Sequence, residues 1–480
     1  MAERCVWSLL SVLLLAGCAI SGNAGSGGSS TPDSALITAI LAAEDRRAAD
    51  DPALALGSQH RDPQVSALAR RAVARIADST FAQRNEFPVA APPVWPEPAW
   101  RLRYRALALS RTDCAAMAAA FADPSWLVRL RAADVVADTC AGDTRIVGTL
   151  REWIDALPSD VSRRTAGSVS WHAAAHAMVT LARLQPALAS PIVRRLAAHS
   201  SAHLREYAAR AATAAGATDV LRTLARDRDA NVRATAIEAL GRGTGHADDS
   251  LFVAALAATE PQVVRVAATA LVGSTDPTAR PALTAALATW IARQHDTERD
   301  VRVALRTALG QSAVDPAPRA RRPPLPVSVV ALARGADVRL RVTMAAASGG
   351  GSFVVRMRGD IAPITGARIL DLVDQGYYNG TGWHRAEHDF VIQGGSPGEN
   401  EYVGASPFFV DELGLVPHLR GTIGMSTRGH DTGDGQWFVN LRDNLRLGRD
   451  YTVFAEVVEG IDVVDGVMEG DVIASIVRVR

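Results

Sequence analysis

Trp383-His384-Arg385-Ala386-Glu387-His388-Asp389-Phe390-Val391-Ile392-Gln393-Gly394-Gly395 is the stretch whose reading decides the fold. It follows the turn signal Gly380-Thr381-Gly382 and ends in paired glycines, so Phe390 to Gln393 reads as a short strand closed by a turn. Ahead of it, Ile364 to Gln375 reads as a helix that runs into Gly376-Tyr377-Tyr378. Further back, Val338, Leu340, Val342 and Met344 alternate with Arg339, Arg341 and Thr343, and Gly349-Gly350-Gly351 turns the chain towards Phe353, Val355 and Met357. A period of two on both sides of a glycine turn predicts a β-hairpin. Downstream come Arg420-Gly421-Thr422-Ile423-Gly424-Met425-Ser426, then Asp434-Gly435-Gln436-Trp437-Phe438, then Tyr451-Thr452-Val453-Phe454 and Val457-Val458-Glu459-Gly460.

In that order and at that spacing, these blocks resemble the cyclophilins over roughly Val338 to Arg480. The resemblance implies a closed β-barrel with flanking helices and peptidyl-prolyl cis/trans isomerase activity. It assigns Arg385 as the donor to the prolyl nitrogen and Gln393 as the glutamine that contacts the substrate backbone. Phe390, Val391, Phe438 and Leu447 fall at the family's proline-pocket positions. Thr427 and Gln436 fall where it contacts flanking residues, and Tyr451 where many members have His. Val391 replaces the more usual Met, Trp437 a common Phe, and Arg446 a Trp found in many eukaryotic members. Rotation about an X-Pro bond faces a barrier of about 18 to 20 kcal/mol and involves no covalent intermediate, so neither cofactor nor metal is expected. An always-charged guanidinium suits a role without proton transfer. The alternative is a non-catalytic module that grips Pro-containing peptides.

A rival motif overlaps the site. His384-Arg385-Ala386-Glu387-His388 fits H-x-x-E-H, which in inverted zincins sets two histidines on one helix face around zinc. The flanking glycines and the strand-like residues after it speak against a helix, and His384 is expected to be structural, hydrogen-bonded inside the barrel.

Upstream, from Ser34 to Gln311, Ala, Leu, Val and Arg dominate, with apolar residues at helical spacing such as Val232, Ala236, Ile237 and Leu240. A phrase recurs before the helices: Asp62-Pro63-Gln64-Val65, Asp123-Pro124-Ser125, Asp229-Ala230-Asn231-Val232-Arg233, Glu260-Pro261-Gln262-Val263 and Arg299-Asp300-Val301-Arg302. The acidic residue reads as an N-cap and Pro as the first helical residue. The array resembles HEAT-type α-solenoids, which implies an extended concave surface, either a bare scaffold or a docking face for a protein partner. Pro316, Pro318, Pro323, Pro324 and Pro326, with Arg319, Arg321 and Arg322, then read as a semi-rigid linker.

At the start, Arg4, the apolar run Val12 to Leu15 and Leu15-Ala16-Gly17-Cys18 read as a secretory signal too short to span a bilayer. Leu-Ala-Gly-Cys looks like a bacterial lipobox, which implies a lipid on Cys18; an ordinary signal with a coincidental cysteine is the alternative. The Gly/Ser-rich Ser21 to Ser30 reads as a tether. Ala19 is not acidic, so an outer-membrane address on the periplasmic side of the envelope is expected. In an exported protein Cys114 and Cys140 are expected to pair, the alternative being two buried small hydrophobes.

The divisions are thus residues 1–18 signal, 19–33 tether, 34–311 helical repeats, 312–333 linker and 334–480 barrel. Of 480 residues, 51 are basic and 51 acidic, so no net field draws nucleic acid or an anionic membrane. All 51 are arginine, which excludes Schiff-base chemistry, a Walker-type phosphate loop and a lysine base. The expected partners are proline-containing proteins.

Overall fold

The computed structural model describes residues 32–78, 89–316 and 321–479. The expected signal, Cys18 and the Gly/Ser tether lie outside the described residues, as do Pro318 and Arg319.

Where the recurring phrase carries aspartate next to the helix start, it caps as expected. Asp62 accepts the Gln64 N–H at 2.8 Å ahead of Pro63, and Asp229 accepts the Asn231 and Val232 N–H groups at 2.9 and 3.1 Å. Other copies differ for identifiable reasons. Asp123 is held by Arg103, and its helix starts only at Trp126. Glu260 has one methylene more and turns back to Arg233 at 2.9 Å and the Thr259 N–H at 3.1 Å instead of capping its helix. Asp300 sits inside the first turn of the Arg299–Ala308 helix and pairs with Arg428.

The helices His172–Leu184, Ala202–Ala214, Ala230–Gly243, Pro261–Ala270 and Arg299–Ala308 form an inner row in which each packs on the next. Pro186–Leu196, Thr218–Leu224, Asp249–Ala255 and Ala279–Ala292 pack outside it. One apolar core runs through both rows, with Leu181, Ala208, Ile237, Val264 and Leu305 fully buried. Near its start, a disulfide joins Cys114 to Cys140. Among the described residues no helix is long and apolar enough to cross a membrane.

A second core belongs to the C-terminal sheet. Its strands are β1 (Arg339–Met344), β2 (Ser352–Met357), β3 (Arg385–Ala386), β4 (Val391–Gly394), β5 (Thr422–Met425), β6 (Trp437–Asn440), β7 (Val453–Glu459) and β8 (Ile473–Val479). They are antiparallel in the order β8-β1-β2-β7-β5-β6-β4-β3. The β1–β2 hairpin follows the expected alternation, with Leu340, Val342 and Met344 buried. The expected helix appears as Pro363–Asp374. The expected closed barrel does not form: the sheet is curled but open. Its edge strand β3 has two residues and cannot ladder along β8; the ends meet at one bridge, Gly382 to Val472, with Gly380 and Trp383 N–H donating to the Ile473 and Asp471 carbonyls.

Two connections shape the molecule. The N-terminal helices Pro32–Arg46, Pro52–Ser58 and Pro63–Ala77 bury their apolar faces in the core of the sheet, not in that of the array. Ile37, Ile40 and Leu41 are fully buried there, each worth about 1.5 to 3 kcal/mol. Arg75 locks the seam by donating to the Ile361 and Leu413 carbonyls at 2.8 and 3.1 Å and to Glu44 at 3.2 Å. The helix Ser328–Ala333, within the expected linker, packs on Pro363–Asp374. The inner row of the array faces the sheet domain: Asn231 donates to the Gly398 carbonyl at 3.0 Å, Tyr207 to Glu469 at 2.7 Å, and Arg164 grips Asp471.

Candidate active site

A single row of cross-strand partners builds the site. Arg385 on β3 stands opposite Gln393 on β4, Gln393 opposite Phe438 on β6, and Phe438 opposite Gly424 on β5. Directly paired residues point to the same face of a sheet, so the register alone gathers these four. Residues of opposite parity, Ile392, Val439, Ile423 and Trp437, go to the other face and into the core.

Val391, Phe438 and Leu447 are buried together, with Phe390 and Tyr451 packed around them as a small apolar cluster. Tyr451 meets Phe438 edge-on at 5.6 Å. Gly424 makes room for that ring, since a Cβ there would lie 2.3 Å from Cζ of Phe438. Beneath it His418 stacks on Phe438 at 5.6 Å, bonded through one ring nitrogen to the Tyr451 carbonyl and through the other to Asn440 Nδ2. Burial pushes His418 down to about 4, so the ring is neutral at physiological pH.

Arg385 lies at the open edge of this pocket. Its Nε donates to Glu387 at 2.8 Å, Nη2 donates to the same carboxylate oxygen, and Nη1 reaches Gln393 Oε1 at 3.4 Å. A guanidinium has five N–H donors, so two remain for a ligand. Gln393 is fixed in turn by donating from Nε2 to Ser426 Oγ at 3.0 Å. Arg446 extends over Phe390, with Cζ 4.9 Å from the ring centroid.

Two residues named from the sequence stand apart from the cluster. Gln436 is buried and donates to the Val403 carbonyl and to Asp434, both at 3.2 Å, while Thr427 follows Ser426 on the loop leaving β5. His384 departs from expectation: neither ring nitrogen has a hydrogen-bond partner among the described residues, and burial pushes the ring down to about 4. The H-x-x-E-H motif lies on β3 and the turn after it, not on a helix, and His388 is enclosed by Trp100 and Tyr104. Among the described residues no group of three or more His, Cys, Asp or Glu side chains could hold a metal ion.

The sequence reading missed Glu387, Ser426, His418 and Asn440. Glu387 was findable, because two residues along a strand returns to the same face as Arg385. His418 carries no local signal, since only tertiary packing puts it under Phe438.

Residues 341–477 match the family model described as cyclophilin type peptidyl-prolyl cis-trans isomerase/CLD. The chain is 36% identical over 120 residues to a peptidyl-prolyl cis-trans isomerase of Helicobacter pylori, covering 24% of this chain and 74% of that one. It is 36% identical over 126 residues to peptidyl-prolyl cis-trans isomerase B of Escherichia coli, covering 24% and 77%. With the human peptidyl-prolyl cis-trans isomerase-like 1, identity is 38% over 124 residues, covering 24% and 74%. A guanidinium with free donors beside an apolar pocket is thus carried by a chain that belongs, through this C-terminal segment, to the cyclophilin-type peptidyl-prolyl cis-trans isomerases.

Proposed function

We propose that this isomerase acts on X-Pro bonds of exported proteins, with Arg385 donating a hydrogen bond to the prolyl nitrogen as the amide twists. The proline ring occupies the pocket of Phe390, Val391, Phe438, Leu447 and Tyr451, and Gln393 holds the substrate backbone. The observation that carries this reading is the cross-strand row Arg385–Gln393–Phe438, which sets a charged donor beside an apolar cluster. Donating to the nitrogen favours its pyramidal form over the planar, resonance-stabilised one, so the interaction strengthens in the transition state and lowers the barrier. A 10⁵-fold acceleration requires about 7 kcal/mol, shared between this donor and the fit of the twisted bond in the pocket.

A proline-peptide isomerisation assay tests it. Arg385→Ala is expected to lower kcat/KM by about 10² to 10³, the loss typical of one transition-state donor. An unchanged rate would remove Arg385 from the mechanism.

We further read the paired helices, whose inner members stack in sequence, as a HEAT-like solenoid. With its inner row turned to the sheet domain, recruitment of a protein partner falls to the outer row. The motif Leu15-Ala16-Gly17-Cys18 supports a lipid anchor on Cys18 and residence on the periplasmic side of the envelope, at the outer membrane. Incorporation of labelled palmitate, lost in Cys18→Ala, checks the anchor.

A further inference from the structure

Beside Arg385, between the sheet domain and the array, lies a cavity of about 580 Å³. One wall is Arg385, Gln393 and His384 with the loop Glu399 to Tyr402; the other is the inner row, through residues of the Ala202–Ala214, Ala230–Gly243 and Pro261–Ala270 helices. Arg385 and Gln393, which edge the apolar cluster, therefore also line a space that the helical array helps to enclose.

That space is acidic. Six carboxylates line it, Glu206, Asp229, Glu238, Glu399, Glu401 and Glu469, against the three guanidiniums of Arg210, Arg265 and Arg385, an excess of three negative charges among the lining side chains, one of which, Glu238, also pairs with Arg242 just outside. Arg210 is occupied by Glu206 at 2.6 Å, and Arg265 lies over the Tyr402 ring at 4.1 Å. The positive ends of the Ala202–Ala214, Ala230–Gly243 and Pro261–Ala270 helices contribute about half a charge each, which reduces the excess without reversing it. His384, held neutral by burial, adds no charge.

An independent observation points to a ligand that donates hydrogen bonds. Gln262 lines the cavity at 5% exposure, and its Nε2 donates to Asn231 Oδ1 at 2.9 Å, but its Oε1 has no partner. The two ring nitrogens of His384, one an acceptor and one an N–H donor in the neutral ring, are likewise shielded and unpartnered. Buried acceptors of this kind are ordinarily satisfied. Both acceptors are shielded from the open cavity, so a guanidinium or ammonium reaches them as the Gln262 amide and the His384 ring turn towards it, bringing N–H donors for them and positive charge for the carboxylates.

We propose that this cavity is a subsite of the substrate groove that takes a cationic side chain flanking the proline, so that the chain prefers basic polypeptide segments. The inference rests on the isomerase reading given above. The array then sets specificity as well as serving as a scaffold, because half of the subsite belongs to it.

The test uses the full chain and three sets of Pro-containing peptides, with Arg, Ala or Glu placed in turn at each position within two residues of the proline. At low salt, kcat/KM is expected to be about tenfold higher for Arg than for Glu at one or more positions, with the ratio shrinking as ionic strength rises. In the double variant Glu238→Gln, Glu399→Gln the ratio should fall towards one. Equal rates for Arg and Glu peptides at every position overturn the proposal, as does a ratio unchanged by salt and by the double variant. If alanine-flanked peptides are not isomerised either, the isomerase reading itself fails and takes the subsite with it; alanine peptides turned over without any charge preference sink the subsite alone.

Discussion

Alanine at position 424 would place its Cβ 2.3 Å from Cζ of Phe438 and 2.9 Å from Cε1 of His418, well inside van der Waals contact. The Phe438 ring, not the backbone, is the part able to give, and moving it displaces a wall of the proposed proline pocket. Gly424→Ala is therefore expected to raise KM for proline peptides about tenfold or more, with far-UV circular dichroism unchanged, since misplacements of about 1 Å can cost up to 10²-fold. An unaltered KM would show that the ring position does not define the pocket. At this scale the sequence was informative wherever a residue's role follows from its neighbours along the chain. Arg385, Phe390, Val391 and Gln393 lie within nine positions, and the fold leaves them together. His418 and Ser426 act on residues 20 or more positions away, so nothing local announces them.

The element most exposed to a simple test is the bridge between Cys114, at the start of the Cys114–Ala120 helix, and Cys140, at the end of the Asp138–Cys140 turn. It closes a 26-residue span of chain, and in the chain-entropy account a loop of that size contributes roughly 3 kcal/mol. Reduction, or Cys114→Ser with Cys140→Ser, should lower the Tm of the array by several degrees in a thermal scan while leaving peptide isomerisation intact at 25 °C. Helices were legible because their apolar spacing is repeated and strong. Caps were less so: Asp62 and Asp229 behave as read, while Asp123 and Glu260 are drawn away by Arg103 and Arg233, partners that lie elsewhere in the chain. The open edge of the sheet was hidden for a related reason. The alternation in β1 and β2 specifies two strands, but closure depends on β3, whose two residues carry no period at all.

Across the described residues, burial holds four histidines neutral. Burial pushes His172 and His388 down to about 3 and His384 and His418 to about 4. The unfolded chain protonates them near 6.5, so each contributes stability that is present above about pH 6.5 and is lost as the pH falls towards the folded value. At pH 5.5 the loss is roughly 1 kcal/mol per histidine. Asp411, Glu412, Glu298, Asp434 and Asp471, pushed up by burial, and His176, held up by Asp134, shift the balance the other way over that range, so the histidine contribution is read by difference. Lowering the pH from 7.5 to 5.5 should therefore cost His172→Asn less in Tm than it costs the parent chain in a thermal scan, and an equal change in both would contradict it. What composition and periodicity could not convey at this scale is which surfaces meet: the inner row of helices is turned to the chain's own sheet domain, through pairs such as Asn231 with Gly398 that are far apart in sequence. The same holds for the N-terminal helices, which share a core with residues 329–476. A ribosome makes those helices first and their covering last, with the whole array in between. Until the final strands emerge, a greasy face bearing Ile37, Ile40 and Leu41 has nothing native to lie against, and a polypeptide interrupted after residue 316 would be a client for holdases, not a stable half-protein.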